Sequence, residues 1–154
     1  MERPKDLAYA RWLAEYYLSH RPLTRHELYD KLDAKQVPKN FIMATINQLE
    51  KAGYINDFEV AVKFINDSVT LKKRGKMRII QELHFKGVNS ETIDRAFAEA
   101  DPHFDEALRY VLERKSAGLD LSNKKDKDKL IRHLAGRGFK LGDILAAIDE
   151  YLAC

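Results

Sequence analysis

Cysteine is almost missing from this sequence, since the one that occurs is the final residue, Cys154. A lone cysteine forms no internal disulfide and cannot supply a site of paired thiols. Long apolar runs are missing as well, because no window holds 18 consecutive apolar residues. Residues 1–17 also lack the uninterrupted apolar stretch and small-residue cleavage site of a signal peptide. We therefore expect an inert free thiol at Cys154 and a cytoplasmic protein without a membrane span.

The residue patterns of common catalytic sites are missing too. The sequence has no glycine-rich phosphate loop, no cysteine pair and no His-x-x-x-His motif, and its five histidines stand apart. Its carboxylates form no recognisable catalytic pair. Trp12, Tyr16 and Tyr17 have helical spacing, which favours a place in the core over a platform for stacking bases. We predict that the protein is not an enzyme and uses neither a cofactor nor a metal ion.

Positive and negative charges are separated along the chain. Of its 154 residues, 45% are hydrophobic and 33% are charged, a composition that supports a folded core, and the net charge is only +3. Residues 68–81 contain no acid, whereas residues 91–106 contain six acids and one base, Arg95. The acid-free stretch holds five bases, which we call the basic cluster: Lys72, Lys73, Arg74, Lys76 and Arg78.

The apolar residues repeat three times with a period of 51 residues. Five positions keep this register in every copy. They are Leu28, Ile79 and Leu130; Leu32, Leu83 and Leu134; Val37, Val88 and Phe139; Ile42, Ile93 and Ile144; and Ile46, Phe97 and Ile148. Because three periods account for nearly the whole chain, we predict three repeats, at residues 1–53, 54–101 and 102–154.

Within a copy the spacing is helical. Leu28 and Leu32 are four residues apart, as are Ile42 and Ile46, so each pair lies on one face of a helix. Thr24 with Glu27 has the pattern of a capping box and predicts a helix that begins at about Arg25.

A turn is predicted after the first of these two helices. Gly87 and Gly138 suit the left-handed position that ends a helix, and Pro38 marks the turn in the first copy. An apolar residue follows each turn, five positions before the next core residue, which is the spacing of a hydrophobic staple. The three pairs are Val37 and Ile42, Val88 and Ile93, and Phe139 and Ile144.

A further helix leads each copy, at Leu7–Leu18, Phe58–Leu71 and Phe104–Ala117. The four prolines fall at helix boundaries, and no segment alternates polar and apolar residues long enough to indicate a sheet. The fold predicted is all-α, with three tandem three-helix repeats in an elongated, curved arrangement, because each unit is too small to bury a good core alone.

Three segments have the character of family signatures: GYINDFEVAVKFI at residues 53–65, KKRGKMRIIQELHFKGV at residues 72–88 and LIRHLAGRGF at residues 130–139. They resemble the signatures of the RecX family, the regulators of bacterial RecA recombinase. The segments occur in order on a threefold helical repeat, and the resemblance extends over essentially the whole chain. Lys76, Ile80 and Gly136 depart from the residues usual in the family.

The resemblance implies an inhibitor of RecA. Such a protein binds the RecA filament on single-stranded DNA, limits its extension or promotes its disassembly, and lowers its ATPase, strand-exchange and co-protease activities. Contact with free DNA would be weak, and we expect a monomer. A body of three units suits this role because several modest contacts joined in one chain gain from effective concentration.

Nine residues are candidates for contact with RecA or DNA. The basic cluster comes first, because a helix dipole explains one or two bases and gives no reason for five. Lys124 and Lys125 belong to a second basic stretch that acids interrupt, and it could equally be a solvated helix start. Arg132 and Arg137 match family positions, and either could instead bridge carboxylates between helices.

Two other functions stay open. One is an independent helical DNA-binding protein in which a helix pair acts as a helix-turn-helix. The copies share apolar positions and no exposed polar set for reading base edges, which disfavours it. The other is a scaffold that contacts only protein, which predicts weak dependence on salt and no affinity for DNA.

Overall fold

The computed structural model describes residues 3–154, and in this range the chain forms nine α-helices and no strand. The all-α prediction is confirmed. The helices are α1 (Leu7–Leu18), α2 (Arg25–Ala34), α3 (Lys39–Lys51), α4 (Asp57–Thr70), α5 (Lys76–Phe85), α6 (Ser90–Ala100), α7 (Phe104–Ser116), α8 (Lys124–Gly136) and α9 (Leu141–Ala153). None of the helices in residues 3–154 has the length and apolar content needed to cross a membrane.

The residues that repeat in sequence form the core. All fifteen positions of the 51-residue register are buried, and the most exposed of them, Phe97, is 8% exposed. Burial of each such side chain stabilises the fold by roughly 1.5–3 kcal/mol. The repeat in the sequence is therefore a repeat of buried positions.

The predicted capping box starts α2 as expected. The Thr24 hydroxyl oxygen accepts from the backbone N–H of Glu27 at 3.1 Å, and the Glu27 carboxylate accepts from the N–H of Thr24 at 3.1 Å. Burial alone would raise the pKa of Glu27, but the Thr24 N–H together with Arg21 and Lys86 outweighs burial and lowers it. The charged form of Glu27 therefore stabilises this helix start.

The turn after the second helix of each copy uses a left-handed residue at the same register position. Gly87 has φ +84° and Gly138 has φ +102°, which confirms the prediction for those copies. In the first copy Gln36 takes this position, with φ +62°. A non-glycine residue there carries backbone strain that the other two copies avoid.

The chain divides into two compact units. The first consists of the residues up to Ala61 together with Leu83–Ala96, and the second of Val62–Glu82 together with Phe97–Cys154. The three repeat boundaries proposed from the sequence stay a prediction.

The first unit contains a junction between α2 and the turn after α5, which we call the first joint. The Thr24 hydroxyl donates to the backbone oxygen of Lys86 at 2.6 Å, and a Cβ added at Gly87 would collide with the side chain of His26. The first N–H of α2, that of Arg25, donates to the Asp57 carboxylate at 3.0 Å. Burial raises the pKa of Asp57. Backbone groups and a buried hydroxyl thus hold this joint.

Candidate partner-binding site

The basic cluster begins in a turn that lies against another turn of the second unit, an arrangement that we call the second joint. The N–H of Gly75 donates to the backbone oxygen of Arg137 at 2.8 Å, and the N–H of Met77 donates to that of Gly138 at 3.1 Å. A Cβ added at Gly75 would overlap the backbone of Gly138. The start of α5 is therefore fixed directly on the turn after α8.

Two arginines of the basic cluster bind an internal carboxylate. Arg74 donates to both oxygens of Glu82 at 2.7 Å, and Nε of Arg78 donates to Glu82 at 3.1 Å. All three side chains are half-buried. Part of the hydrogen-bonding capacity of Arg74 and Arg78 is thus engaged with Glu82, and the two arginines and one carboxylate together keep a net positive charge.

Arg137 belongs to the same assembly. It donates from Nε to the backbone oxygen of Lys73 at 3.1 Å, and it also donates to the backbone oxygen of Lys72. Burial and the nearby charges of Arg78 and Arg74 lower the pKa of Arg137, which nevertheless stays protonated at neutral pH. Three guanidinium groups thus belong to this assembly and only two of them bind a carboxylate of the described residues, so the second joint keeps a positive charge.

The three lysines of the basic cluster differ from its arginines because they do not bind a carboxylate in the described part of the chain. We call Lys72, Lys73 and Lys76 the lysine face. Lys72 and Lys76 are exposed. The ammonium groups of Lys73 and Lys76 lie over the rings of Tyr110 at 4.8 Å and Phe97 at 5.0 Å. No carboxylate in residues 3–154 forms an ion pair with any of the three. The lysine face is therefore the part of the cluster that can bind an external anion.

The other predicted bases lie on α8. Lys124, Lys125 and Arg132 are exposed, and the Asn123 side chain caps the helix by accepting from the N–H of Lys125 at 2.8 Å. Within the described chain, no hydrogen bond or ion pair joins these three residues to the second joint. Arg137 is the one base from this region that the structure brings to the basic cluster. The contact role predicted for the nine residues remains a prediction.

A groove of about 980 Å³ lies between α7 and α9 in the second unit, apart from all nine predicted residues. Its apolar lining includes the buried residues Leu108, Leu112 and Phe139. Its four acids, Asp105, Glu113, Asp143 and Glu150, outnumber its one base, Arg109. The groove therefore repels, rather than attracts, an anionic partner.

The sequence interpretation of two aromatic residues was wrong. Trp12 and Tyr16 are 50% and 51% exposed, whereas Tyr17 is half-buried as expected. The buried face of α1 carries Ala10, Leu13 and Ala14, and at 100° per residue Trp12 and Tyr16 point to its opposite side. Helical phase would have revealed this exposure, because the three buried residues are themselves apolar.

Comparison with known proteins decides the family. Models of the first, second and third three-helix domains of RecX match residues 10–49, 56–99 and 104–148. The chain belongs to the RecX family. The resemblance inferred from the signature segments is therefore confirmed, as is the threefold helical repeat.

Curated RecX proteins align with most of this chain. Regulatory protein RecX of Clostridioides difficile is 32% identical over 137 residues, which cover 88% of this chain and 64% of that protein. Regulatory protein RecX of Streptococcus uberis is 29% identical over 150 residues, which cover 96% of this chain and 57% of that protein. The chain thus spans between about half and two thirds of the length of these RecX relatives.

A solved RecX structure has the same fold. The crystal structure of RecX from Lactobacillus salivarius superimposes with a TM-score of 0.83 at 22% identity, covering 97% of this chain and 98% of that one. The likeness shows that the RecX helical arrangement is kept after most side chains have changed.

Proposed function

We propose that this protein regulates RecA recombinase as a non-enzymatic inhibitor in the cytoplasm. It binds the RecA filament on single-stranded DNA and limits the extension of the filament or promotes its disassembly. Lower ATPase, strand-exchange and co-protease activities follow because fewer RecA protomers remain assembled. Membership of the RecX family supports this role, and the observation that carries the proposed contact is the lysine face, held without a carboxylate partner on the second joint.

The lysine face suits an anionic surface for a physical reason. The ammonium groups of Lys73 and Lys76 rest on aromatic rings, so these side chains lose less freedom on binding than extended lysines do. The guanidinium groups of the second joint add positive potential behind them. The partner is DNA phosphate inside the filament or an acidic strip on RecA. Three contacts with single-stranded phosphates would give a slope of about −2 for log affinity against log salt.

The test is RecA ATPase on single-stranded DNA, with this protein added below the RecA concentration. A fall in ATPase at substoichiometric protein is expected. No fall up to equimolar protein, together with tight binding to duplex DNA alone, would overturn the proposal in favour of an independent DNA-binding protein.

A variant of the lysine face tests the contact itself. Lys72→Ser, Lys73→Asn and Lys76→Ser together remove its charge, and asparagine suits the left-handed backbone of Lys73, whose φ is +53°. The matched control replaces the exposed Lys35, Lys39 and Lys51 by serine, an equal change of charge elsewhere. We expect the first variant to need at least about tenfold more protein for half inhibition and the control to behave as the natural chain. Equal inhibition by the two folded variants would exclude the lysine face as the contact.

A further inference from the structure

Four rings form a continuous row along α1 and the turn that follows it, with Trp12 and Tyr16 exposed and Tyr9 half-buried, and we call this row the aromatic strip. Its members are Tyr9, Trp12, Tyr16 and His20. The ring centroids of Tyr9 and Trp12 are 6.1 Å apart, those of Trp12 and Tyr16 also 6.1 Å, and those of Tyr16 and His20 4.7 Å. The planes of Trp12 and Tyr16 are within 19° of parallel. Two large, nearly parallel rings are thus held side by side with half of their surface in water.

Trp12 and Tyr16 are not among the residues that pack in the core of the first unit. Ala10, Leu13 and Ala14 supply the buried face of α1, and Tyr9 and Tyr17 pack partly against the core. Arg11 and Glu15 are also exposed on α1. Exposed tryptophan and tyrosine occur in protein interfaces as well, so the choice of partner rests on the charge found beside the rings.

Positive charge lies at the N-terminal end of the aromatic strip. The guanidinium of Arg3 is 5.4 Å from the ring centre of Tyr9 and 5.0 Å from that of Trp12. Lys5 donates to the amide oxygen of Gln36 at 3.3 Å. Neither base forms an ion pair with a carboxylate of residues 3–154. Arg11 shares its donors between Glu15 at 3.2 Å and Gln48 at 3.1 Å.

We propose that the aromatic strip binds single-stranded nucleic acid, with bases stacked on Trp12 and Tyr16 and phosphates near Arg3 and Lys5. Proteins that bind single strands combine these two elements: exposed aromatic rings stack on the nucleobases, and adjacent basic residues bind the phosphate backbone. A duplex is a poor ligand because its bases already stack on one another. The site goes beyond the regulation of RecA, since it lies in the first unit and binds DNA without any RecA present.

The chain contains its own reporter for this site. Trp12 is the only tryptophan, so intrinsic fluorescence reads the strip directly. A thymidine 15-mer titrated into the protein without RecA is expected to quench it at micromolar concentration. An abasic 15-mer, which keeps the phosphates, and a 15-base-pair duplex are expected to quench it at least about tenfold less well. Equal quenching by the abasic oligomer, or none by the thymidine oligomer, would overturn the proposal.

Substitution of Tyr16 locates the contact. Tyr16→Ala is expected to weaken thymidine binding by about 5- to 160-fold, the range for loss of one stacked ring. Tyr54→Ala is the matched control, because Tyr54 is also in the first unit, is 68% exposed and is not one of the rings of the strip. If both variants bind the oligomer equally well, the strip is not its site.

The same titration separates this site from the proposed regulation of RecA. Because RecA is absent, failure of quenching leaves the ATPase test unaffected, and failure of ATPase inhibition leaves the quenching unaffected. RecA without DNA serves as a further probe. Quenching by RecA alone, with none by thymidine oligomers, would assign the aromatic strip to a protein contact and overturn the proposal.

Discussion

Replacement of Gly138 by alanine tests the second joint most directly. Gly138 has φ +102°, and a Cβ there would lie 2.5 Å from Cβ and 2.6 Å from the backbone nitrogen of Arg78. Both of these atoms belong to the rigid start of α5. The turn after α8 must therefore move away from α5 to admit one methyl group.

The expected cost has two parts. An alanine in this backbone conformation costs about 1–2 kcal/mol in local strain. Displacement of the turn also breaks the hydrogen bonds from Gly75 to Arg137 and from Met77 to Gly138, each of which contributes about 1 kcal/mol. Together they give about 3–4 kcal/mol, a large share of the roughly 5–15 kcal/mol that stabilises a typical domain.

Two other glycines provide matched controls. Gly53 has φ +87°, but a Cβ there meets nothing within 4 Å, so Gly53→Ala should cost only the strain of about 1–2 kcal/mol. Gly136 is helical, at the end of α8, and its Cβ also enters open space. Gly136→Ala should therefore stabilise the protein, by up to about 1 kcal/mol.

Urea unfolding at 25 °C, followed by far-ultraviolet circular dichroism, measures all three variants. The urea midpoint should be highest for Gly136→Ala, followed by the natural chain and then Gly53→Ala, and lowest for Gly138→Ala. A Gly138→Ala midpoint equal to or above that of Gly53→Ala would refute the close approach of the two turns.

Three further predictions concern single side chains. Glu82→Gln should lower the free energy of unfolding by about 1–2 kcal/mol, because Arg74 and Arg78 lose their charged partner; an unchanged urea midpoint would contradict this. Gln36→Gly should raise that free energy by up to about 1 kcal/mol by relieving the left-handed backbone strain. A lower urea midpoint would show that the side chain of Gln36 contributes more stability than the strain costs. The lowered pKa of Glu27 adds stability that is complete above about pH 4.5 and is lost as the pH falls through the folded-state pKa. The thermal midpoint should accordingly fall less between about pH 5 and pH 3 in Glu27→Gln than in the natural chain, and parallel curves would rule out this contribution.

The sequence predicted those features that follow from local periodicity. The 51-residue register identified buried positions because each copy must bury the same helix faces, and the capping box located the start of α2 at Arg25. The ion pair of Arg78 with Glu82 could also have been predicted, because the two residues are four positions apart on one helix.

Other parts of the site depend on long-range contacts. Arg137 binds the backbone oxygens of Lys72 and Lys73 across more than sixty residues of sequence, and this contact exists only because the Gly75 and Gly138 turns meet. The spacing of residues along the chain does not indicate that two turns distant in sequence are in contact. Spacing could therefore not separate the arginines that make internal contacts from the lysines that have no carboxylate partner among the described residues.

The second joint changes the meaning of the family signature. Arg74, Gly75, Arg78, Glu82 and Arg137 all give the chain its resemblance to RecX, and each of them makes an internal contact. Gly75 and Arg137 join the two turns, and Arg74 and Arg78 bind Glu82 of α5. The motif is thus largely an architectural one, inherited with the fold. A relative could lose its regulatory contact and still keep every residue of this motif. To find relatives whose partner has changed, one should therefore compare the residues that they carry at the positions of Lys72 and Lys76. Substitutions at these positions can alter the contact with a partner without disturbing the fold.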